Sequence, residues 1–356
     1  MIKELLNERN LPEIPADRNE IKEILQREIY GYMPGNPENV HFEEVSKIEG
    51  RFPCRAEIKQ MKCTFTYNGK QGEFPFKSTL HTDGKKRPLF ININFRPDVP
   101  DLYQPTEEIL DADFDILSFC YKEVTSDNGD FSDGIAPVFV PDGERADTCP
   151  GKIVLWSWAA SRLVDYALTL KGTDADNIAV VGHSRLGKTA LVTGMFDERV
   201  KYAFSNNSGC AGAAIARENT GEKVADITKN FPFWFCPNYL KYVNNEAAMP
   251  FDQHFLVASI APRYAYVASS SLDAWACPDN EYLCCYAASD YYENKGVKGF
   301  VAPDRLPECG ELFHDGNIGY HKKDGEHFLS RYDWNAYIKF LKAKKYQFNL
   351  NKDKNL

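Results

Sequence analysis

The N-terminal part of the chain passes from a helical to a strand-like pattern of apolar positions. Residues 19–25 carry isoleucine and leucine at helical spacing after Asp17, a residue type that caps helices, so we predict a helix there. Residues 55–80 alternate between apolar and polar side chains, and the Asn-Gly pair at 68–69 indicates a turn between two strands. We interpret residues 1 to about 85 as an N-terminal extension of the main domain.

From residue 88 onward, short apolar strands alternate with helices. We predict strands at residues 88–95, 115–119, 178–182, 202–205 and 263–269, and helices at about 155–170, 186–196 and 332–344. Residues 122–150 are polar and rich in Asp, Gly and Pro, so we predict a long functional loop there. The alternation favours an α/β fold with a mostly parallel central sheet flanked by helices, a three-layer sandwich, over a single domain of residues 1–356.

The segment around Ser184 carries the clearest chemical signal. The apolar strand ends at Gly182 and a helix begins near Leu186, so Ser184 lies on a sharp strand-to-helix turn. In α/β-hydrolases such a turn exposes a nucleophilic serine at the carboxyl edge of the sheet, and the helix N-terminus favours a developing oxyanion. The usual second glycine is replaced here by Leu186, and Gly187 follows it. The alternative interpretation is a helix-capping serine without chemistry.

A nucleophilic serine requires a base and an acid, which follow it in that fold in the order serine, acid, histidine. His327 lies in a polar turn shortly before the last helix, where the base is expected. The other histidines downstream of the serine are His254, His314 and His321. We predict that His321 is structural, since it follows a short apolar segment. Asp273 follows the strand at 263–269 and is the predicted acid, because a carboxylate there can orient the histidine.

Composition narrows the possible partners. The formal net charge is −9, which argues against nucleic acid or an anionic membrane surface as the main partner. A helix that spans a membrane needs about 18 consecutive apolar residues, and no segment of the sequence comes close to that length. The first residues are charged throughout and lack the apolar segment of a signal peptide, so we expect a cytoplasmic protein, or a secreted one if a leader was removed. Ten cysteines are scattered without a Cys-x-x-Cys pair, which indicates reduced thiols rather than a zinc site.

With these residues, the chain resembles the glucuronoyl esterases, carbohydrate esterase family fifteen, and their bacterial relatives similar to acetyl xylan esterases. The family signature Gly-x-Ser-Arg-x-Gly-Lys stands at residues 182–188. Further segments similar to the family's blocks are residues 206–212, 231–236, 249–254 and 260–263.

The resemblance implies hydrolysis of esters of 4-O-methyl-glucuronic acid, the link between glucuronoxylan and lignin alcohols, through an acyl-enzyme and without a metal or organic cofactor. It implies catalytic roles for Ser184, His327 and Arg185. Lys188 lies about one helical turn after the serine, so its side chain can reach the opening of the same active site. Trp275 offers a flat aromatic face to a sugar ring. The candidate substrate-binding residues are Lys188, Trp275, Trp234, Gln253 and Arg217.

Two positions depart from the fungal members of the family. Asn207 stands where they carry a catalytic glutamate, so the resemblance also selects Asp273, the position used by bacterial relatives. Glu326 is a less favoured substitute. His183 stands where fungal members carry a disulfide-bonded cysteine, and we expect it to be a packing residue.

Other functions compatible with these residues are an acetyl xylan esterase, or another glycan deacetylase, and a catalytically inactive sugar-binding relative. The same triad serves either ester, so the shape of the acyl pocket decides between them. The expected partner is a uronic-acid-containing oligosaccharide or xylan ester. We expect a monomer that binds neither nucleic acid nor membrane.

Overall fold

A computed structural model describes residues 1–48, 52, 55–140 and 145–354. Its central element is a ten-stranded sheet with the spatial order β1-β2-β3-β5-β4-β6-β7-β8-β10-β9. The strands are β1 Asn39–Ile48, β2 Ala56–Tyr67, β3 Lys70–His81, β4 Arg87–Asn94, β5 Asp115–Cys120, β6 Thr173–His183, β7 Tyr202–Asn206, β8 Tyr264–Ser270, β9 Leu312–Phe313 and β10 Ile318–Lys323.

Helices cover both faces of this sheet. They are α1 Ile2–Glu8, α2 Arg18–Leu25, α3 Thr106–Asp111, α4 Tyr121–Val124, α5 Ala136–Phe139, α6 Lys152–Thr169, α7 Arg185–Phe196, α8 Val224–Asn230, α9 His254–Ala258, α10 Pro278–Asn294 and α11 Arg331–Lys354. Successive residues of β4 point to opposite faces: Leu89 joins the core under α6, α7 and α10, and Phe90 joins the core under α11. The predicted α/β sandwich of three layers is therefore confirmed.

The sheet is parallel in its centre and antiparallel at its edges. Strands β5, β4, β6, β7 and β8 run parallel, as their apolar segments predicted, and β10 continues the parallel order beside β8. Strands β1 to β3 form an antiparallel meander that joins the centre through β3 and β5. The N-terminal extension thus adds three strands to the same sheet.

The elements predicted from periodicity are present, with small shifts at their ends. The α2 helix begins after Asp17, whose carboxylate accepts a hydrogen bond of 2.9 Å from the backbone N–H of Asn19. The two strands predicted between 55 and 80 are β2 and β3. The predicted loop at 122–150 also contains the short helix α5, and its residues 141–144 lie outside the described residues.

The elements that were not predicted include an edge strand and a long helix. Strand β1 is an edge strand, and because most of its side chains are exposed it lacks the alternation of a half-buried strand. Helix α10 carries an acidic residue, Glu281, together with tyrosines and cysteines among its buried positions, including Cys284 and Cys285, so its apolar stripe is obscured. Both elements are defined by their neighbours in space rather than by their own composition.

The described residues also bear on the membrane and on metal binding. None of the helices within them is both long and apolar enough to cross a bilayer. No group of three or more His, Cys, Asp or Glu side chains among them is arranged to hold a metal ion.

A tight turn between β6 and α7 positions the candidate nucleophile. Gly182 lies under the first turn of α7, and a Cβ at this position would overlap the carbonyl oxygen of Leu186. The helix can therefore start directly after the strand only if residue 182 is glycine.

We predict that Gly182→Ala lowers the free energy of unfolding by about 1–3 kcal/mol, because the added methyl group forces the backbone of the turn to move. Urea unfolding followed by circular dichroism measures the change. Gly129→Ala is the matched control, since its Cβ meets nothing within 4 Å, and it should change stability by less than about 0.5 kcal/mol. Equal stability of the two variants would contradict this account of the turn.

Candidate active site

Ser184 occupies the turn between β6 and α7 in a strained conformation. Its φ is 58° and its ψ is −126°, a region that non-glycine residues rarely adopt. Its backbone N–H donates to the carbonyl oxygen of Asn206 at 2.8 Å, which fixes the turn against β7. The residue is half-buried at the carboxyl edge of the sheet.

The departure from the usual glycine spacing has a structural explanation. Leu186 is fully buried, so its side chain points into the core and away from the nucleophile. Gly187 faces the neighbouring strand, where a Cβ would lie 3.1 Å from the carbonyl oxygen of Asn206. The close approach to β7 therefore falls on residue 187 instead of 186.

The predicted base and acid are hydrogen-bonded to each other. His327 Nδ1 lies 2.6 Å from Asp273 Oδ2. Asp273 follows β8, and its side chain is 6% exposed; His327 lies between β10 and α11, and its side chain is 44% exposed. Because Nδ1 faces the carboxylate, Nε2 is the nitrogen available for chemistry.

Asn207 supports the acid instead of replacing it. Its side-chain amide donates to Asp273 Oδ2 at 2.7 Å, and its own carbonyl oxygen accepts a hydrogen bond from Ser270 Oγ at 3.2 Å. Burial acts to raise the pKa of Asp273, but hydrogen bonds from His327, Asn207 and the Ala276 N–H outweigh it, and the pKa lies below its usual value. Asp273 is thus kept as a carboxylate beside His327.

His183 connects the base to the nucleophile turn. Its ring centroid lies 4.4 Å from that of His327, and it stacks on Tyr103 at 5.6 Å. Its Nδ1 is 2.7 Å from Asn206 Oδ1. Burial, with His327 as a second cause, lowers the pKa of His183 to about 3, so the ring is neutral at ordinary pH. The residue directly before Ser184 therefore packs against the base.

The other downstream histidines have structural partners. His254 is buried, and its Nε2 lies 3.0 Å from the carbonyl oxygen of Pro12. His321 is fully buried inside β10, and His314 Nε2 lies 2.8 Å from the hydroxyl of Tyr266. Among the four candidates, only His327 packs against the turn that bears Ser184.

Arg185 is clamped beside the nucleophile by Asp127. The Arg185 guanidinium donates to Asp127 Oδ2 in a close ion pair, and Tyr121 donates its hydroxyl to the same oxygen at 2.8 Å. Trp234 Nε1 donates to the other oxygen at 2.7 Å. The guanidinium also lies 4.6 Å from the centre of the Trp234 ring. Asp127 and Trp234 thus hold Arg185 at the start of α7, and Tyr121 holds Asp127.

Comparison with known proteins identifies the family of this chain. A sequence model of the family described as "Glucuronyl esterase, fungi" matches residues 63–296. The solved structure of a glucuronoyl esterase from Solibacter usitatus superposes with a TM-score of 0.84 and 31% sequence identity, covering 92% of this chain and 91% of that one. The chain belongs to the glucuronoyl esterase family. Its α/β-hydrolase fold and its class, the serine-type carboxylic ester hydrolases, follow from that membership.

Two curated relatives show how far this likeness extends. The carbohydrate esterase MZ0003, from an unknown prokaryotic organism, is 29% identical and is matched over 91% of this chain and 83% of its own length. The 4-O-methyl-glucuronoyl methylesterase of Podospora anserina is 28% identical over 79% of this chain and 56% of its own length. This esterase therefore spans about half the length of that fungal relative and most of the prokaryotic one.

Two predicted sugar contacts of the esterase lie around one buried carboxylate. Trp275 is 56% exposed on a short helical turn after Asp273, so its ring faces solvent. Lys188 is buried and donates to the carbonyl oxygen of Ser208. Burial raises the pKa of Glu222, while the charge of Lys188 and a hydrogen bond with the Trp275 side chain act to lower it, so Glu222 bonds to Trp275 and lies near Lys188. Glu222 was not predicted from the sequence.

Three other predicted substrate contacts of the esterase are buried, and each has bonding partners within the protein. Trp234 is 3% exposed; it stacks on Phe231 at 3.9 Å, and the Arg185 guanidinium lies 4.6 Å from its ring centre. Gln253 is fully buried, and its Oε1 accepts a hydrogen bond from the Tyr30 hydroxyl at 3.3 Å. Arg217 is 8% exposed, and its guanidinium donates to Asp252 at 3.0 Å and to three carbonyl oxygens.

Asp127 is the functional residue of the esterase that sequence reasoning missed most clearly. It is one of several aspartates in the polar loop at 122–150, and no spacing distinguishes it from Asp130 or Asp133. The only signal was the loop itself, which was predicted to be functional. The partner of Arg185 lies 58 residues away in sequence, and only the fold brings the two together.

We predict that Asp127→Asn lowers kcat/KM for ester hydrolysis by about 10- to 100-fold, since the guanidinium loses a charged hydrogen bond and faces an amide N–H instead. Steady-state kinetics on an activated ester measures the effect. Asp130→Asn is the control, because that exposed carboxylate bonds only to Ser132 among the contacts in the described residues. Equal activity of both variants would show that the clamp is dispensable.

Proposed function

We propose that the protein is a serine carbohydrate esterase that hydrolyses esters of 4-O-methyl-glucuronic acid on a uronic-acid-containing oligosaccharide or xylan. The observation that carries the proposal is the bonded pair of His327 and Asp273 at 2.6 Å, packed against the turn that bears Ser184. Relatives named 4-O-methyl-glucuronoyl methylesterases support the choice of acyl group. Support also comes from the solved structure of a fungal glucuronoyl esterase variant in complex with methyl 4-O-methyl-β-D-glucopyranuronate.

The reaction is an acyl transfer in two steps. Ser184 Oγ attacks the ester carbonyl carbon while His327 Nε2 accepts the hydroxyl proton, and Asp273 stabilises the imidazolium that forms. The C–O bond to the alcohol then breaks, and His327 returns the proton to the leaving oxygen. Water, deprotonated by the same histidine, hydrolyses the acyl-enzyme and frees the uronic acid.

The start of α7 stabilises the negative charge that develops on the carbonyl oxygen. The first N–H groups of a helix have no acceptor within it, so the backbone N–H of Arg185 is the expected oxyanion donor. Asp127 holds the Arg185 guanidinium at the same place, where it adds a positive charge. Both groups are oriented before substrate binds, and such preorganised donors act without further rearrangement in the transition state.

The substrate side of the site suits a sugar acid better than an acetyl group alone. Trp275 presents an exposed aromatic face on which a pyranose ring can stack. Glu222, which bonds to the Trp275 side chain, can accept a hydrogen bond from a sugar hydroxyl, and the Lys188 ammonium group, which donates to the Ser208 carbonyl oxygen, has further protons to donate. An acetyl group has no ring to stack and no hydroxyl to bond, so it would use neither feature as the acyl part of the ester, and the deacetylase alternative serves as the comparison in the experiment.

We predict that the wild-type protein hydrolyses methyl 4-O-methyl-glucuronate with a higher kcat/KM than 4-nitrophenyl acetate. Ser184→Ala should reduce both activities at least about 1000-fold while the protein stays folded, since the nucleophile is lost. Ser132→Ala, an exposed serine in the loop, is the matched control and should be fully active. Preference for the acetate would favour the deacetylase, and an active Ser184→Ala would refute the nucleophile assignment.

We predict that Asp273→Asn lowers kcat about 1000- to 10,000-fold, because the amide cannot stabilise the imidazolium and favours the wrong tautomer. Asn207→Ala should lower kcat only about tenfold, as it removes one supporting hydrogen bond. Glu326→Gln, an exposed acid beside His327, serves as the control with unchanged kcat. If Asn207→Ala or Glu326→Gln were the most damaging variant, the acid would have to be reassigned.

A further inference from the structure

The segment of residues 324–330, here called the histidine loop, is tied to a buried charged pair beneath it. Lys323, the last residue of β10, has a side chain that is 7% exposed. Its ammonium group donates to the carbonyl oxygen of Phe328, the residue directly after His327, and to Asp333 Oδ2 at 2.5 Å. One cation thus reaches the backbone next to the base.

Asp333 holds the far end of the same loop. It is fully buried in the first turn of α11, and its Oδ2 also accepts the backbone N–H of Ser330 at 2.6 Å and the Ser330 hydroxyl at 2.7 Å. Its Oδ1 lies 2.8 Å from His321 Nε2. The carboxylate is therefore saturated with donors, and it fixes the position of Lys323 as well as the end of the loop.

The near end of the histidine loop is tied to the segment before Asp273. The backbone N–H of Ser271 donates to the carbonyl oxygen of Lys323 at 2.9 Å, and that of Leu272 donates to Gly325 at 3.0 Å. The Ser271 hydroxyl donates to Asp324 Oδ1 at 2.8 Å. With the near end joined to the acid and the far end held by the buried pair, the position of His327 relative to Asp273 is determined on both sides.

Stability alone does not account for a buried ion pair at this place. Removing two charges from water carries a desolvation penalty of several kcal/mol per ion, and apolar replacements of such pairs are often as stable or more stable. An apolar side chain cannot donate hydrogen bonds to the Phe328 carbonyl oxygen and to the Asp333 carboxylate, as Lys323 does. The pair therefore contributes geometry to the loop that bears the base.

We propose that Lys323, fixed by Asp333, is a positioning residue for His327, which it sets by bonding the Phe328 carbonyl oxygen and so holding the imidazole in line with Asp273 and Ser184. This inference rests on the proposed function, because it assumes that His327 is the base. Lys323 acts through the loop, since its ammonium group bonds to Phe328 and Asp333.

The test is Lys323→Met, which keeps the length of the side chain and removes its donors. We expect kcat to fall about 10- to 100-fold, the effect of displacing a catalytic group by about 1 Å, with KM changed less than about twofold. Lys322→Met is the matched control: Lys322 is the preceding lysine of β10, it is half-buried, and its ammonium group lies 3.5 Å from the Pro307 carbonyl oxygen. Full kcat in Lys323→Met, or an equal loss in Lys322→Met, would overturn the proposal.

A double variant separates positioning from general destabilisation. If Lys323 acts only through His327, its loss should not lower activity further once the imidazole has been removed. Adding Lys323→Met to His327→Ala should therefore leave the residual activity unchanged. A further fall in activity there would indicate a merely structural role. Should Lys323→Met not fold, Ser330→Ala removes a single bond to Asp333, and we expect a fall in kcat of about threefold at constant KM; unchanged kcat would overturn the proposal.

The outcome also separates this inference from the proposed function. If the wild-type protein does not hydrolyse uronate esters, the proposed substrate is wrong, and the lysine variants are compared on whichever ester the wild type hydrolyses. If the wild type is active and Lys323→Met retains its kcat, the substrate proposal stands and the positioning role is refuted.

Discussion

The candidate site depends on one hydrogen bond made across the carboxyl edge of the sheet, between His327 Nδ1 and Asp273 Oδ2. The two residues follow β10 and β8, which are parallel neighbours paired so that Lys323 lies opposite Ser270. Because parallel strands end at the same edge, loops that are 54 residues apart in sequence begin side by side. The register of one strand pair thus sets the acid and the base at bonding distance.

Buried charge is the second common feature of the site. Asp127 fixes Arg185, Glu222 lies beside Lys188, and Asp333 fixes Lys323. Each arrangement places a charged group within the protein, where an electrostatic interaction is stronger than in water and a misplaced partner is costly. Such arrangements allow few alternatives. The nucleophile turn is constrained as well, since the backbone of Ser184 is strained at a φ of 58°.

Local sequence reasoning succeeded where the signal lies in consecutive residues. The strand-to-helix turn at Ser184 is predicted from one short segment of sequence. Each apolar strand predicted for the parallel core is likewise recognisable from its own residues. It failed for strand β1, which is exposed at the sheet edge, and for α10, whose buried face is polar and aromatic. In both cases the neighbours in space decide the conformation, and a window of sequence does not contain them.

The same distinction applies to the substrate contacts. Sequence segments shared with a family contain structural as well as functional residues. The residue type alone does not show which role a tryptophan, a glutamine or an arginine has. Trp234, Gln253, Arg217 and Lys188 are each buried and hydrogen-bonded within the protein, whereas Trp275 is open to solvent. Exposure is a property of the packed structure and is not encoded at any single position.

By itself, the sequence determined the fold class and the nucleophile turn, because these follow from local periodicity and from residue chemistry. The candidates for acid and base followed from the order of these residues in α/β-hydrolases. Only the tertiary structure decided which carboxylate holds which cation: Asp127 for Arg185, and Asp333 for Lys323. It also decided that Asn207 supports Asp273. The physical reason is that hydrogen bonds and desolvation depend on distances between segments far apart in the chain, which exist only once the sheet has formed.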